Sequence, residues 1–311
     1  MKPFKAKAAK TKPTKTRPGK NGPDKTRPSK PERGASADPL AMGSKKWRDM
    51  IRQGADDFNV PVNETTASLF ALHASELMAW NKKINLTTIL DPLEVAVKHF
   101  IDSIVPAPLI PKGGRVLDIG SGGGFPGLAL KAARPDMDMV MVDASQKKIH
   151  FLKHVIRKTG MENITAIHGR AEDLAKDPGF NGSFDVVVCR AFASLGDFFE
   201  KGLPFVSKNG FLMAWKGKAG EDEAKEFLSN QGQGRPKQAP TQRNGNDNGR
   251  GGGHRNDETS QRNDGFQCDA LEEFKTETAE FQMEIKKYAL PFLDLERRLM
   301  MIKQNAGAPH F

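Results

Sequence analysis

The chain has 311 residues, enough for one large domain or two modest ones, with 37% hydrophobic residues and a formal net charge of +10. Its two cysteines, Cys189 and Cys268, lie far apart and outside any CxxC or Cys/His cluster, which excludes a disulfide framework and a structural zinc site and suits a reducing cytosol. No apolar run approaches the roughly 20 residues of a membrane span, and the basic N-terminus lacks the apolar stretch of a secretory signal.

The charge is unevenly placed. Residues 1–34 carry 12 Lys and Arg against two acids, Asp24 and Glu32, so the rest of the chain is balanced and any nucleic-acid surface on the folded body must be a local patch. Residues 1–42 repeat Lys, Pro, Thr and Arg with little to bury, and are expected to be a disordered basic tail. They read equally as a polybasic arm that attracts phosphate by counterion release and as a solvated terminus.

Residues 43–112 read as helical, a small N-terminal cap. Glu64–Trp80 carries Leu69, Phe70, Leu72, Leu77, Met78 and Trp80 at three-four spacing. Asp91-Pro92 then starts a second helix with Val95, Val97, Phe100, Ile101 and Ile104 on its apolar side. From Arg115 the pattern changes. Strands at 115–119, 138–142, 164–168, 184–189 and 210–215 alternate with helices at 128–133, 147–158 and 195–203, which predicts an α/β core over 113–228 with a parallel, Rossmann-like sheet. A helix near Glu221–Leu228 leads to residues 229–265, rich in Gly, Asn, Gln and Arg and expected to be a disordered insertion. Residues 266–311 return to the core, with closing strands at 281–288 and 299–303.

The strongest local signal is the run Val116-Leu117-Asp118-Ile119-Gly120-Ser121-Gly122-Gly123-Gly124-Phe125-Pro126-Gly127. A buried strand enters a turn whose glycines let the backbone approach a ligand, and Pro126 suits the start of a helix. A dinucleotide fingerprint would place its third glycine five positions after the first. That position is Phe125, and the GxGxG spacing favours a nucleoside–amino-acid ligand over a pyrophosphate. The second strand ends in Asp143, where an acid can hold ribose hydroxyls, a feature shared with NAD enzymes. The third ends in Gly169-Arg170-Ala171-Glu172-Asp173 and the fourth in Cys189-Arg190-Ala191-Phe192. Singly, each acid is as readily a helix N-cap or a loop residue. Four such sets at the carboxyl ends of parallel strands point to one crevice.

If that ligand is S-adenosylmethionine, the fourth strand limits the chemistry. It has neither the Asn/Asp-Pro-Pro-aromatic motif used on exocyclic amines nor the Pro-Cys used on pyrimidine carbon-5, and Cys189 reads as a packing residue. A target that needs no deprotonation fits best, such as a ring nitrogen with a free lone pair.

Trp80-Asn81-Lys82-Lys83-Ile84-Asn85-Leu86-Thr87, then Asp91-Pro92, then Lys98-His99-Phe100-Ile101-Asp102-Ser103 resembles the N-terminal signature of the ribosomal RNA small subunit methyltransferase G family, formerly called glucose-inhibited division protein B. Gly120–Gly127 resembles its cofactor loop, and Arg190-Ala191-Phe192-Ala193-Ser194-Leu195 its fourth-strand motif. The resemblance covers about residues 45–228 and 280–303, with Leu295 standing where the family usually has glycine before Glu-Arg. It implies a class I methyltransferase fold and a cytoplasmic enzyme. The implied reaction is S-adenosylmethionine-dependent methylation of N7 of a loop guanine in 16S ribosomal RNA, position 527 in the rRNA numbering. The implied partner is that RNA or the small ribosomal subunit. Carried over by motif, the cofactor contacts are Gly120, Phe125, Ala171, Glu172 and Arg190; the glycine-rich turn adds Gly122 and the strand argument Asp143. The N7 lone pair is already a nucleophile, so no general base and no metal is expected. Candidate RNA-side groups are His99, Lys147, Arg170, Arg190 and Lys216. Two rivals stand beside this reading: a noncatalytic Rossmann nucleotide-binding module tethered to RNA, and a methyltransferase for another substrate.

Overall fold

The structure, a computed structural model, describes residues 40–190, 194–231, 273–278, 280–293 and 295–305. The expectations for residues 1–39 and for 232–265 lie outside the described residues.

Among the described residues, strands β1 (Arg115–Ile119), β2 (Asp138–Asp143), β3 (Ile164–His168), β4 (Phe184–Arg190), β5 (Val206–Lys216), β6 (Glu273–Glu277), β7 (Phe281–Leu290) and β8 (Leu295–Gln304) form one sheet in the order β3-β2-β1-β4-β5-β8-β7-β6. The first five pair in parallel and the last three join antiparallel. After β1 the chain builds outward to β2 and β3, then returns to place β4 on the other side. β1 is therefore the switch point at which ligand crevices open in such sheets.

The central strands are buried on both faces, which obliges a helical layer on each. One face of the sheet presents Val116, Met139, Met141 and Val186 to α1 (Lys45–Asp56), α2 (Glu64–Asn81), α5 (Gly127–Ala133) and α6 (Gln146–Thr159). The other presents Leu117, Val140 and Val187 to α8 (Leu195–Gly202) and α9 (Gly220–Gln231), with Phe198, Phe199, Phe227 and Phe281 between. The helical cap expected over 43–112 packs directly on this face of the sheet. Trp47, Phe70 and Phe100 belong to the same apolar core as Val116 and Met139, so the helices have no core of their own.

Helix starts follow their caps. Ser44 accepts from the Trp47 amide, Asn63 from Thr66 and Asp91 from Glu94, with Pro92 in the first helical position. The stretch after Asp91 is not one regular helix. Between α3 (Pro92–Glu94) and α4 (Asp102–Ile104) it widens into the π-helical segment Val95–Ile101. Side chains take up carbonyls along it: Trp47 Nε1–H donates to Pro92 O (2.8 Å), Ser103 Oγ–H to His99 O (2.5 Å) and Trp215 Nε1–H to Asp102 O (2.7 Å).

Several boundaries differ from the sequence reading. β5 begins at Val206 rather than 210, β8 at Leu295 rather than 299, and α9 runs to Gln231, past the core boundary expected at 228. The polar start of β8 hides its strand character, because Arg298 is buried against Glu221 at 2.6 Å. The helix expected over 195–203 ends at Gly202 in a 3-10 turn, Leu203–Phe205.

Candidate active site

The glycine-rich loop leaves the carboxyl end of β1 and enters α5. Gly120, Gly122 and Gly124 have φ of 76°, 54° and 87°, in the left-handed region that a side chain disfavours. At Gly124 a Cβ would also lie 2.4 Å from Leu128 Cδ1, and at Gly127 one would lie 2.6 Å from Asp118 Oδ2. The loop is fastened to its neighbours by its own amides. Gly120 and Ser121 donate to Val142 O (2.8 and 3.1 Å), Gly122 to Asp143 Oδ2 (3.0 Å) and Gly127 to Asp118 Oδ2 (3.1 Å).

Asp143 is therefore first a brace. Its other oxygen accepts from the Ser145 amide at 2.8 Å, and Lys148 Nζ stands 3.8 Å away. A carboxylate offers about four acceptor positions, so capacity for a ligand hydroxyl remains.

Phe125 sits between two imidazoles. His73 stacks on it at 4.6 Å and 18°, and His99 at 4.4 Å and 8°. His73 Nε2–H donates to Gly123 O at 2.8 Å, tying α2 to the loop. Arg190 donates to His99 Nδ1 (3.2 Å), Ser103 Oγ (3.0 Å) and His99 O (3.4 Å). A guanidinium has donors only, so His99 Nδ1 must carry the lone pair and Nε2–H donates to Thr87 Oγ1 at 2.8 Å. The pKa values agree with neutral rings. Burial, reinforced by Arg190, pushes His99 down to about 3, and burial pushes His73 down to about 4. Thr87 is held by Asn81, whose Oδ1 accepts from the Leu86 and Thr87 amides while Nδ2–H donates to Thr87 O. The Trp80–Thr87 motif is thus a clasp that sets the partner of His99.

Below Arg190 lies Asp102, buried, with Oδ1 accepting from Tyr288 Oη–H (2.7 Å) and Oδ2 from Arg297 Nε–H (3.3 Å) and 4.0 Å from Arg190 Nη1. Burial, then Asp102 itself, raises the Tyr288 hydroxyl well above its ordinary range, so it stays a donor.

One residue the motifs did not single out is Asp118. It is wholly buried, and Oδ1 has no partner among the described residues. Burial pushes its carboxyl up to about 7, against the Gly127 amide and the Ser121 hydroxyl. Its place in the apolar run Val116–Ile119 is the only sequence signal.

The remaining candidates divide. Ala171 is buried at the start of α7 (Ala171–Leu174), and Glu172 is exposed and paired with Lys201 at 2.9 Å. Lys147 and Arg170 are exposed beside the strand ends. Three RNA-side candidates are engaged within the protein. His99 and Arg190 point into the protein and hold each other, and Lys216 is bound to Glu223 at 2.8 Å with 11% of its side chain exposed. Cys189 is buried in the sheet core, and the described residues contain no cluster of three His, Cys, Asp or Glu able to hold a metal.

The family model for rRNA small subunit methyltransferase G (GidB) matches residues 66–236, more than half of the chain, and takes in β1 to β5 and the glycine loop. The chain belongs to the ribosomal RNA small subunit methyltransferase G family. Curated relatives of that name include the protein of Geobacter metallireducens, 42% identical over 57% of this chain and 80% of its own length. That of Clostridium novyi is 39% identical over 59% and 77%, and that of Thermoanaerobacter sp. 33% identical over 84% and 91%. The match to the methyltransferase G family contains His73, His99, Asp102, Asp118, Phe125, Asp143 and Arg190, whereas Tyr288 and Arg297, which complete the Asp102 node, lie beyond it.

Proposed function

We propose that this chain transfers the methyl group of S-adenosylmethionine to N7 of a loop guanine in 16S ribosomal RNA. The observation that carries the reading is the braced glycine loop at the switch point of the sheet, in a chain of this family. The loop suits S-adenosylmethionine: three left-handed glycines shape a turn that side chains would strain, and Asp143 stands at the end of β2 beside it. That ligand would supply an electrophilic methyl group on a cationic sulfur. Gly120, Gly122 and Phe125 would hold it from the loop, Asp143 from the end of β2, and Ala171 and Glu172 from the end of β3. Arg190 serves indirectly, by fixing His99 against Phe125.

Guanine N7 presents a lone pair on the major-groove edge, so no proton need leave it before attack. The two histidines beside the loop accordingly act as fixed neutral plates. Rate enhancement then rests on holding the nitrogen in line with the methyl group, and the base must be presented unstacked. The partner is 16S ribosomal RNA or the small subunit carrying it, in the cytoplasm. No helix among the described residues is long and apolar enough to cross a membrane.

The test is methylation of small subunits that lack the modification, using isotope-labelled S-adenosylmethionine, followed by borohydride and aniline scission. Cleavage at one loop guanine is expected. Label at an exocyclic amine or a pyrimidine carbon, or binding of NAD or ATP but not S-adenosylmethionine, would overturn the reading.

A further inference from the structure

We propose that the exposed face of α6, with Lys82 and Lys83 beside it, is the surface that holds the phosphate backbone of the substrate RNA; this rests on the function proposed above. Helix α6 carries Lys147, Lys148, Lys153, Arg157 and Lys158 and no Asp or Glu. Its apolar residues Ile149, Phe151, Leu152 and Val155 are buried, so the cations are left on the outer side. The helix begins just after Asp143, the brace of the glycine loop.

Helix α2 lies along α6 in the opposite direction. Glu76 meets His154 (2.7 Å) and Lys158 (3.6 Å), while Trp80, one turn further on, packs on Phe151 and His154. That register carries the end of α2 towards the start of α6. Lys82 and Lys83 follow directly, and a Cβ built on Gly123 would lie 3.6 Å from Leu86 O, so this turn borders the glycine loop. The two lysines and α6 therefore form one basic arc at the mouth of the candidate site.

Lys98, Lys176, Lys201 and Lys216 each have an acid within 3.0 Å. Lys82, Lys83, Lys147 and Lys153 are exposed and, among the described residues, have no ion-pair partner. Clustering marks this arc: Lys46, Lys112, Lys208 and Lys218 are also exposed with no ion-pair partner among the described residues, but they stand singly in α1, before β1, in β5 and before α9. The chain beyond its first 34 residues is balanced in charge, so four unneutralised ammonium groups along one arc are a local excess. Flexible ammonium groups suit phosphate oxygens, and phosphate contacts position the RNA without reading its sequence, which leaves target choice to the crevice.

The test compares the full chain with Lys82→Ala/Lys83→Ala, Lys147→Ala/Lys153→Ala and the fourfold variant. Methyl transfer to small subunits is measured across a potassium chloride series, and S-adenosylmethionine affinity by calorimetry. The fourfold variant is expected to lose kcat/KM by at least about tenfold at moderate salt, through KM. Its salt slope should fall by about 0.7 to 0.9 per lost phosphate contact, with cofactor affinity unchanged. The fourfold Lys→Arg variant should restore the rate, and the exposed pair Lys176→Ala/Lys225→Ala should behave as the parent. Unchanged kcat/KM and slope would overturn the assignment, as would equal loss of cofactor binding. Loss of binding to anionic vesicles with RNA kinetics intact would assign the face to a membrane and overturn it too. If the parent methylates no RNA, the function itself fails, and filter binding of an rRNA fragment to the same variants still decides the surface.

Discussion

Asp118→Asn should change how stability depends on pH, because Asp118 and the two stacked histidines act in opposite directions. His73 and His99 take up a proton near 6.5 in the unfolded chain but only near 4 and 3 when folded. Their contribution is complete above pH 6.5 and is lost as pH falls towards 4. At pH 5 each costs about 2 kcal/mol, about 4 kcal/mol together. Asp118 keeps its proton up to about 7 when folded and releases it at 3.8 when unfolded. Its contribution is complete below 3.8 and is lost as pH rises through 7, which leaves about 3 kcal/mol at pH 5 and almost none at pH 8. From these groups the parent protein should weaken by only about 1 kcal/mol between pH 8 and pH 5, and Asp118→Asn by about 4 kcal/mol. Asparagine keeps an acceptor for the Gly127 amide, so the fold is retained. Urea unfolding at the two pH values measures both losses. Equal losses in the two proteins would refute the reasoning about the buried carboxyl.

Tyr288→Phe deprives the buried Asp102 carboxylate of its 2.7 Å donor, and should cost about 1.5–3 kcal/mol, lowering Tm by roughly 5 °C or more; an unchanged melt would contradict it. Asp143→Ala releases the Gly122 amide and should weaken S-adenosylmethionine binding by up to about 3 kcal/mol without unfolding the chain. Unaltered affinity in calorimetry would remove Asp143 from the site. Gly124→Ala combines a φ of 87° with a 2.4 Å clash on Leu128, and should lose about 1–3 kcal/mol in urea unfolding. Removing residues 1–39 should leave cofactor affinity unaltered. A weaker salt dependence of rRNA binding after that truncation would mark the basic arm as a phosphate contact.

The parallel half of the fold was legible because strands buried on both faces read as apolar runs bounded by turns. Val186-Val187-Val188 leaves little alternative. β6 was not, since Glu273–Glu277 is short, half charged and paired on one side only. Within the site, the glycines announced the loop, and Asp143 was found from its place at the end of β2. The direction of Arg190 was hidden. A cation at a strand end looks like a ligand contact until the π-helical segment is seen to offer it His99 and Ser103. Asp118 and His73 were hidden for the converse reason. Both lie in apolar stretches, and only the packed structure shows a carboxyl without a partner or a ring stacked on Phe125.

The node at Asp102 also bears on the order in which the chain is made. Its donors Tyr288 and Arg297 are 186 and 195 residues downstream, while the helical layer that buries it precedes them in the chain. Closing that layer before they arrive would leave the buried carboxylate with Arg190 alone, at 4.0 Å. During translation the floor under Arg190 and Phe125 is therefore expected to stay open until the final hairpin has left the ribosome. A nascent fragment ending at residue 231 would hold every glycine of the loop and yet lack the two donors that complete the Asp102 node beneath Arg190. Completion of the node therefore waits on the β7–β8 hairpin.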